Sequence, residues 1–191
     1  MHLLIAGLVL FLGLHALPIF SVAARDRLIA VLGRNGWRAV HSLFSLAGVV
    51  LIIVGYGQAR LAPVVLYAPP YWMRHVTFLL MLPVFPLIFA AYLPGRIKTK
   101  LKHPMLTAVK TWAFAHLLAN GMLADVLLFG GFLAWAVAAR ISLKRRASTL
   151  NIEARPSAWN DVIAVVAGLA LYVATLLWLH RLLIGMPLIS H

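Results

Sequence analysis

The residues in this chain best suited to chemistry are histidines embedded in apolar sequence. His116 follows Trp112-Ala113-Phe114-Ala115 and precedes Ala119, while His15 sits within Leu12-Gly13-Leu14-His15-Ala16. An imidazole nitrogen can ligate a transition metal or an iron porphyrin, and small neighbours leave a flat gap beside the ring that a planar ligand fills. The competing structural reading has His116 hydrogen-bonded to a neighbouring helix, as intramembrane polar groups often are. The absence of cysteine removes thiolate-held iron–sulfur clusters, cysteine nucleophiles, disulfides and covalent haem attachment through C-x-x-C-H. Only Asp26, Asp125, Glu153 and Asp161 are acidic, which argues against a carboxylate-rich metal cage or a paired-carboxylate hydrolase. The stretch LPGRIKTK lacks the G-x-x-x-x-G-K-[ST] spacing of a phosphate loop, and no Ser/His/Asp set emerges.

Membrane helices must position these histidines. Of the 191 residues, 63% are hydrophobic and 11% charged, against about half and about a quarter in soluble domains. Apolar runs of spanning character fall at about residues 3–24, 40–58, 71–93, 104–120, 122–140 and 162–184. The expected fold is all-α, a polytopic six-helix membrane bundle forming one domain over residues 1–191. Ser21-Val22-Ala23-Ala24 looks like a signal cleavage site, but no cation precedes the first run and the run exceeds a signal core, so helix 1 is expected to be retained. Pro18 should kink it beside His15, and Pro83 and Pro86 should bend the third run. A basic loop with Arg25, Arg27, Arg34 and Arg38 separates the first two runs. His103-Pro104 opens the fourth run and Asn120-Gly121 closes it, which makes the fourth and fifth helices antiparallel neighbours. Gly130, Ala134 and Ala138 form a small-residue stripe for close helix approach.

A net charge of +13 suggests nucleic acid as a partner, but no polar domain is left to bind it once the apolar runs are set aside. Fourteen of the 17 lysines and arginines lie in or beside connections one, three and five; the others are Arg60, Arg74 and Arg181. The positive-inside rule then puts both termini outside, and the same charge attracts anionic lipid of the bilayer. Counting at about 1.5 Å per residue, His15 lies roughly 13 Å from the inner end of helix 1 and His116 roughly 18 Å from that of helix 4. Two imidazoles on facing helices at such depths could approach one iron from opposite sides of a porphyrin. Gly13, Ala16, Ala113, Ala115 and Ala119 supply the small neighbours such a ring needs. His41 and His103 lie near the inner boundary, His75 and His180 near the outer, and His2 and His191 at the termini, where polar residues need no function. His41 is still a candidate for supporting a ligand, or for meeting a haem propionate together with Arg38 or Lys110. Asp125 is expected to pair with Arg74, Arg60 or Arg181, with a proton relay as the alternative.

The segments APPYWMRH (68–75), AAYLPGRIKTKLKHPML (90–106) and VKTWAFAHLLANG (109–121), with LGLHALP (12–18) and VHSLFS around His41, resemble the NnrU family of bacterial inner-membrane proteins over nearly the whole chain. That family is similar to the plant and cyanobacterial 15-cis-zeta-carotene isomerase, an integral membrane protein with non-covalent haem b. The resemblance implies a multi-pass protein of the bacterial inner membrane, so that the termini placed outside by charge are periplasmic, with haem held by two histidines corresponding to His15 and His116. The family's third histidine corresponds best to His41. The isomerase carries a cysteine three residues before the second ligand where this chain has Ala113, so ligand switching through a thiolate has no counterpart here. Three functions follow: a haem-dependent isomerase of a polyene; a haem electron carrier or accessory factor linked to nitrite and nitric oxide reduction, meeting a small gaseous ligand and a redox partner; or a haem-free membrane assembly protein.

Overall fold

A computed structural model of the chain describes residues 1–146 and 157–188. Glu153, Arg155 and His191 lie outside the described residues. In chain order the helices are α1 (His2–Phe20), α2 (Val22–Ala59), α3 (Met73–Met81), α4 (Val84–Tyr92), α5 (Arg96–Leu101), α6 (Pro104–Ala119), α7 (Leu123–Arg146), α8 (Ala158–Ala174) and α9 (His180–Ile184), the last two joined through a wider π turn at Thr175–Leu179. Among the described residues, five helical stretches are long and apolar enough to cross a bilayer: 2–20, 22–59, 73–92, 123–146 and 158–184. The protein is therefore an all-helical, multi-pass membrane protein. The fourth expected crossing, α6, has 16 residues, about 24 Å of helix against roughly 30 Å of hydrocarbon.

The described residues form two compact units. The first comprises Met1–Pro70 and residues 116–146, with α1 packed on α2 and on α7. Leu4, Leu8, Phe11 and His15 recur on α1 at alternating steps of four and three, and His41, Ser45, Gly48, Ile52, Gly55 and Ala59 do so on α2. This period lays one stripe of each helix along the other. Glycine lets the backbones touch. A Cβ added at Gly7 would lie 2.6 Å from the Ile52 nitrogen, one at Gly48 would lie 2.9 Å from the Phe11 Cβ, and one at Gly55 would overlap the Leu4 main chain.

Two expectations are corrected in this unit. The basic stretch after helix 1 is helical, because Ser21 caps it by accepting from the Ala24 amide at 3.1 Å and Arg, Ala and Leu sustain it. The interruption is confined to Gly33, at φ 70 and ψ 165, a conformation open to glycine. The stripe of Gly130, Ala134 and Ala138 is likewise not the packed one. A Cβ at Gly130 would meet nothing within 4 Å, Ala134 is exposed, and Ala136 and Ala139 are buried in its place. The aromatic side of α7 decides its rotation, since Phe132 and Trp135 pack against rings of α1 and bury more apolar area than alanine can.

The second unit comprises Tyr71–Ala115 and residues 157–188. Where a bend is expected at Pro83 and Pro86, the third run divides at Leu82-Pro83 into α3 and α4, and Pro86 lies inside α4. The Leu82 amide turns to the Leu79 carbonyl, and the Tyr172 hydroxyl takes up the Phe78 carbonyl at 2.9 Å. Val84, Leu87 and Ala108 form a small core, with Met81, Ile97 and Trp112 against it. The cationic third connection holds a short helix of its own, α5, over Arg96–Leu101. The Asp161 carboxylate accepts from the Arg96 and Ile97 amides at 2.9 and 3.1 Å, and Asn160 Nδ2 donates to the Pro94 carbonyl. Replacing Asp161 by Ala is expected to cost about 1 kcal/mol, because water reaches the Arg96 end and offsets part of the lost bonding. A helical melt followed by circular dichroism should fall by about 2–4 °C for a chain of this size, and an unchanged melt would contradict the docking role.

Candidate functional site

The seam between α1 and α2 ends at a pair of histidines. The His15 and His41 rings stand 4.8 Å apart between centroids, edge to face at 69°. His15 Nδ1 lies 2.8 Å from the Phe11 carbonyl one turn back. A carbonyl can only accept, so that nitrogen carries the proton, which in the neutral form of the ring leaves the lone pair on Nε2. The Phe11 ring stacks on His15 at 4.2 Å and meets Phe132 at 5.6 Å, which restricts the imidazole to one orientation. His41 Nδ1 is 3.4 Å from Ser45 Oγ, and Trp37 lies against the ring at 5.6 Å. Trp135 stands perpendicular to His15 at 6.1 Å, and its indole Nε1 is buried without a hydrogen-bond partner.

His116 is held by a strap around the end of α6. The last carbonyls of a helix need outside donors, and Leu66, Tyr67 and Asn120 provide them for the end of α6 and the turn after it. Asn120 gives both its amide and its Nδ2 to the His116 carbonyl, at 2.9 and 2.8 Å. The Tyr67 hydroxyl reaches the carbonyls of Leu117 and Asn120, and the Leu66 and Tyr67 amides reach that of Gly121. Gly121 is required at the crossing, since a Cβ there would overlap the Tyr67 carbonyl. Tyr67 as a whole is 41% exposed, yet burial of its hydroxyl, and then the nearby Asp125 carboxylate, push its pKa above the ordinary tyrosine value. The hydroxyl stays protonated and keeps donating. The His116 ring stacks on Phe129 at 4.6 Å and 27°. Phe129 and Trp135 are six residues apart on α7, so the contacts of His116 and His15 with that helix are spaced by about 9 Å along its axis.

The structure thus brings His15 and His41 together and sets His116 against Phe129, all within the first unit. Arg38 is exposed on α2, three residues before His41, and Lys110 lies on the part of α6 that belongs to the second unit. Of the small neighbours, Ala113 and Ala115 are fully covered by protein, which fills the gap expected from them. A Cβ at Gly13 would meet nothing within 4 Å, because Gly13 is exposed and, two residues from His15, lies on the opposite face of α1. Asp125, 2% exposed, accepts from the Tyr56 hydroxyl at 2.6 Å and from the Met122 amide at 3.0 Å, so it closes the start of α7. Sequence reasoning missed Phe11, Ser45, Phe129 and Trp135. The four-three stripes on α1 and α2 could have supplied the first two, whereas nothing in the α7 sequence singles out the others. Among the described residues no group of three or more His, Cys, Asp or Glu side chains gathers to hold a bare metal ion.

No curated protein matches the chain, and no solved structure does. A family model described as NnrU protein matches residues 3–188. With nearly its whole length matched, and with the histidine-bearing helices inside the match, the chain belongs to the NnrU family.

Proposed function

We propose that this is a membrane-embedded b-type haem protein in which His15 supplies one axial nitrogen and His116 the other. The observation that carries the reading is the His15 side chain, with Nδ1 given to the Phe11 carbonyl and Nε2 left to coordinate. The residues around His15 suit such a group. The donor set is imidazole nitrogen, and the Trp135 indole offers an unused hydrogen bond. Arg38, beside His41 in sequence, is the cation of the first unit proposed to meet a haem carboxylate. Bound there, haem would supply a one-electron couple and, with one axial ligand released, an open coordination position.

His41 is the rival second ligand, favoured by its 4.8 Å separation from His15. Low-temperature electron paramagnetic resonance of the oxidised protein separates the two. The low-spin signal of the wild type should turn high-spin in His116→Ala and persist in His41→Ala; the reverse pattern would move the second ligand to His41. The reaction class is tested on the reduced protein. Ready binding of carbon monoxide favours an iron that opens to a substrate, as polyene isomerisation needs, and refusal favours an electron carrier linked to nitrite or nitric oxide reduction. We further read α6 as a sixth crossing, with both termini periplasmic in a bacterial inner membrane, because only Arg60, Arg74 and Arg181 lie opposite the other 14 cations.

A further inference from the structure

We propose that the indole N–H of Trp135 donates a hydrogen bond to a propionate carboxylate of the bound haem, an inference that rests on the haem reading above. Trp135 Nε1 is buried on α7 and has no acceptor, a rare condition for a buried donor. It belongs to the histidine cluster. The indole is perpendicular to His15 at 6.1 Å, and His15 is 4.8 Å from His41. Neither imidazole serves as its acceptor, since His15 Nδ1 is given to Phe11, His41 Nδ1 faces Ser45, and no bond reaches the indole from either ring.

The chemistry of the ligand narrows the choice. With imidazoles at both axial positions, haem b presents apolar methyl and vinyl edges, and its two carboxylates are the acceptors left. A charged acceptor also makes the stronger bond with a buried N–H. The position of Trp135 agrees with that assignment. It lies at the middle of α7, five residues before Arg140 and nine before Lys144 at the basic end of the helix. The Ser142 hydroxyl reaches the Ile19 carbonyl at 3.3 Å, so this end of α7 adjoins the end of α1 just past His15. On α2, Arg38 lies beyond His41 in the direction that runs past the Gly48–Phe11 and His41–His15 contacts toward the same end. Carboxylates directed this way would find an indole donor first and guanidinium groups beyond it.

The test titrates haem-free, full-length protein with haem and with iron etioporphyrin, which has the same iron and no carboxylates, in wild type and Trp135→Phe. The variant is expected to bind haem about tenfold to a hundredfold more weakly and etioporphyrin as tightly as wild type. In the wild type, the ultraviolet resonance Raman band that reports indole hydrogen bonding should shift when haem is added, and that change should be missing from the variant. Equal haem affinity in the two proteins, or the same loss with both porphyrins, would overturn the role of Trp135 and leave the haem reading standing. An unmoved indole band in haem-loaded wild type would overturn it as well, even where the variant does not fold. A wild type that binds neither porphyrin would remove both.

Discussion

His15→Ala is expected to leave the protein folded and without its haem, with affinity reduced more than about a hundredfold. That bound follows because changing a group that merely orients a ligand already costs 10–100-fold, and this substitution removes the ligand itself. The chain also fixes the orientation of His15. Its Nδ1 is tied to the Phe11 carbonyl, its ring lies on the Phe11 ring, and Trp135 abuts it. Free imidazole added to the variant should restore part of the spectrum by entering the vacated space. His41→Ala, which takes away a neighbour at 4.8 Å, should weaken binding by about tenfold. Titration of the purified variants with haem, with circular dichroism as the control for folding, measures both. If His15→Ala bound haem as the wild type does, this histidine would have no ligand role.

The second large effect concerns folding. Asp125→Leu should destabilise the protein by about 2–5 kcal/mol, because the Tyr56 hydroxyl and the Met122 amide both lose a buried acceptor at roughly 1–3 kcal/mol each. The carboxylate is 2% exposed, so water has little access to replace it. It joins the far end of α2 to the start of α7 through the bond from Tyr56 at 2.6 Å, and thereby fixes the two helices that carry His41 and Trp135. Tyr56→Phe removes one donor while the bond from the Met122 amide survives, and should cost about 1–2 kcal/mol. In a double-mutant cycle the two changes should not add, since they break the same contact. Detergent-solubilised protein unfolded by denaturant provides the values. Full additivity, or an Asp125→Leu variant as stable as wild type, would contradict this role.

Much of the helical frame was legible because it follows from periodicity and local stereochemistry. His103-Pro104 and Asn120-Gly121 bracket α6, and Pro83 divides α3 from α4, since proline carries its consequence in its own ring. Membrane embedding was equally legible in the apolar runs. The basic stretch of α2 was misread because charge was equated with loop, although arginine is a good helix former and Ser21 supplies a cap. The rotation of α7 was also missed. A small-residue stripe and an aromatic stripe compete on that helix, and only tertiary packing decides between them.

At the candidate site, the histidines stood out by type, and depth suggested His15 and His116. The contact of His15 with His41 depends on the register between α1 and α2, which Gly7, Gly48 and Gly55 set through backbone approach. The strap over α6 joins Tyr67 to carbonyls some 50 residues away, and Asp161 caps amides 64 and 65 residues away. Neither pairing leaves a local signal in the sequence. Trp135 was overlooked for a different reason: a tryptophan in an apolar helix is ordinary, and only the missing acceptor sets it apart.

The most direct test of the central claim is the absorption spectrum of wild-type protein purified from a haem-supplemented host, recorded oxidised and then reduced with dithionite. One haem per chain is expected, with a low-spin Soret band that sharpens and moves to longer wavelength on reduction as resolved α and β bands appear. A well-folded preparation that stays colourless, and takes up no haem when it is added, would contradict the claim.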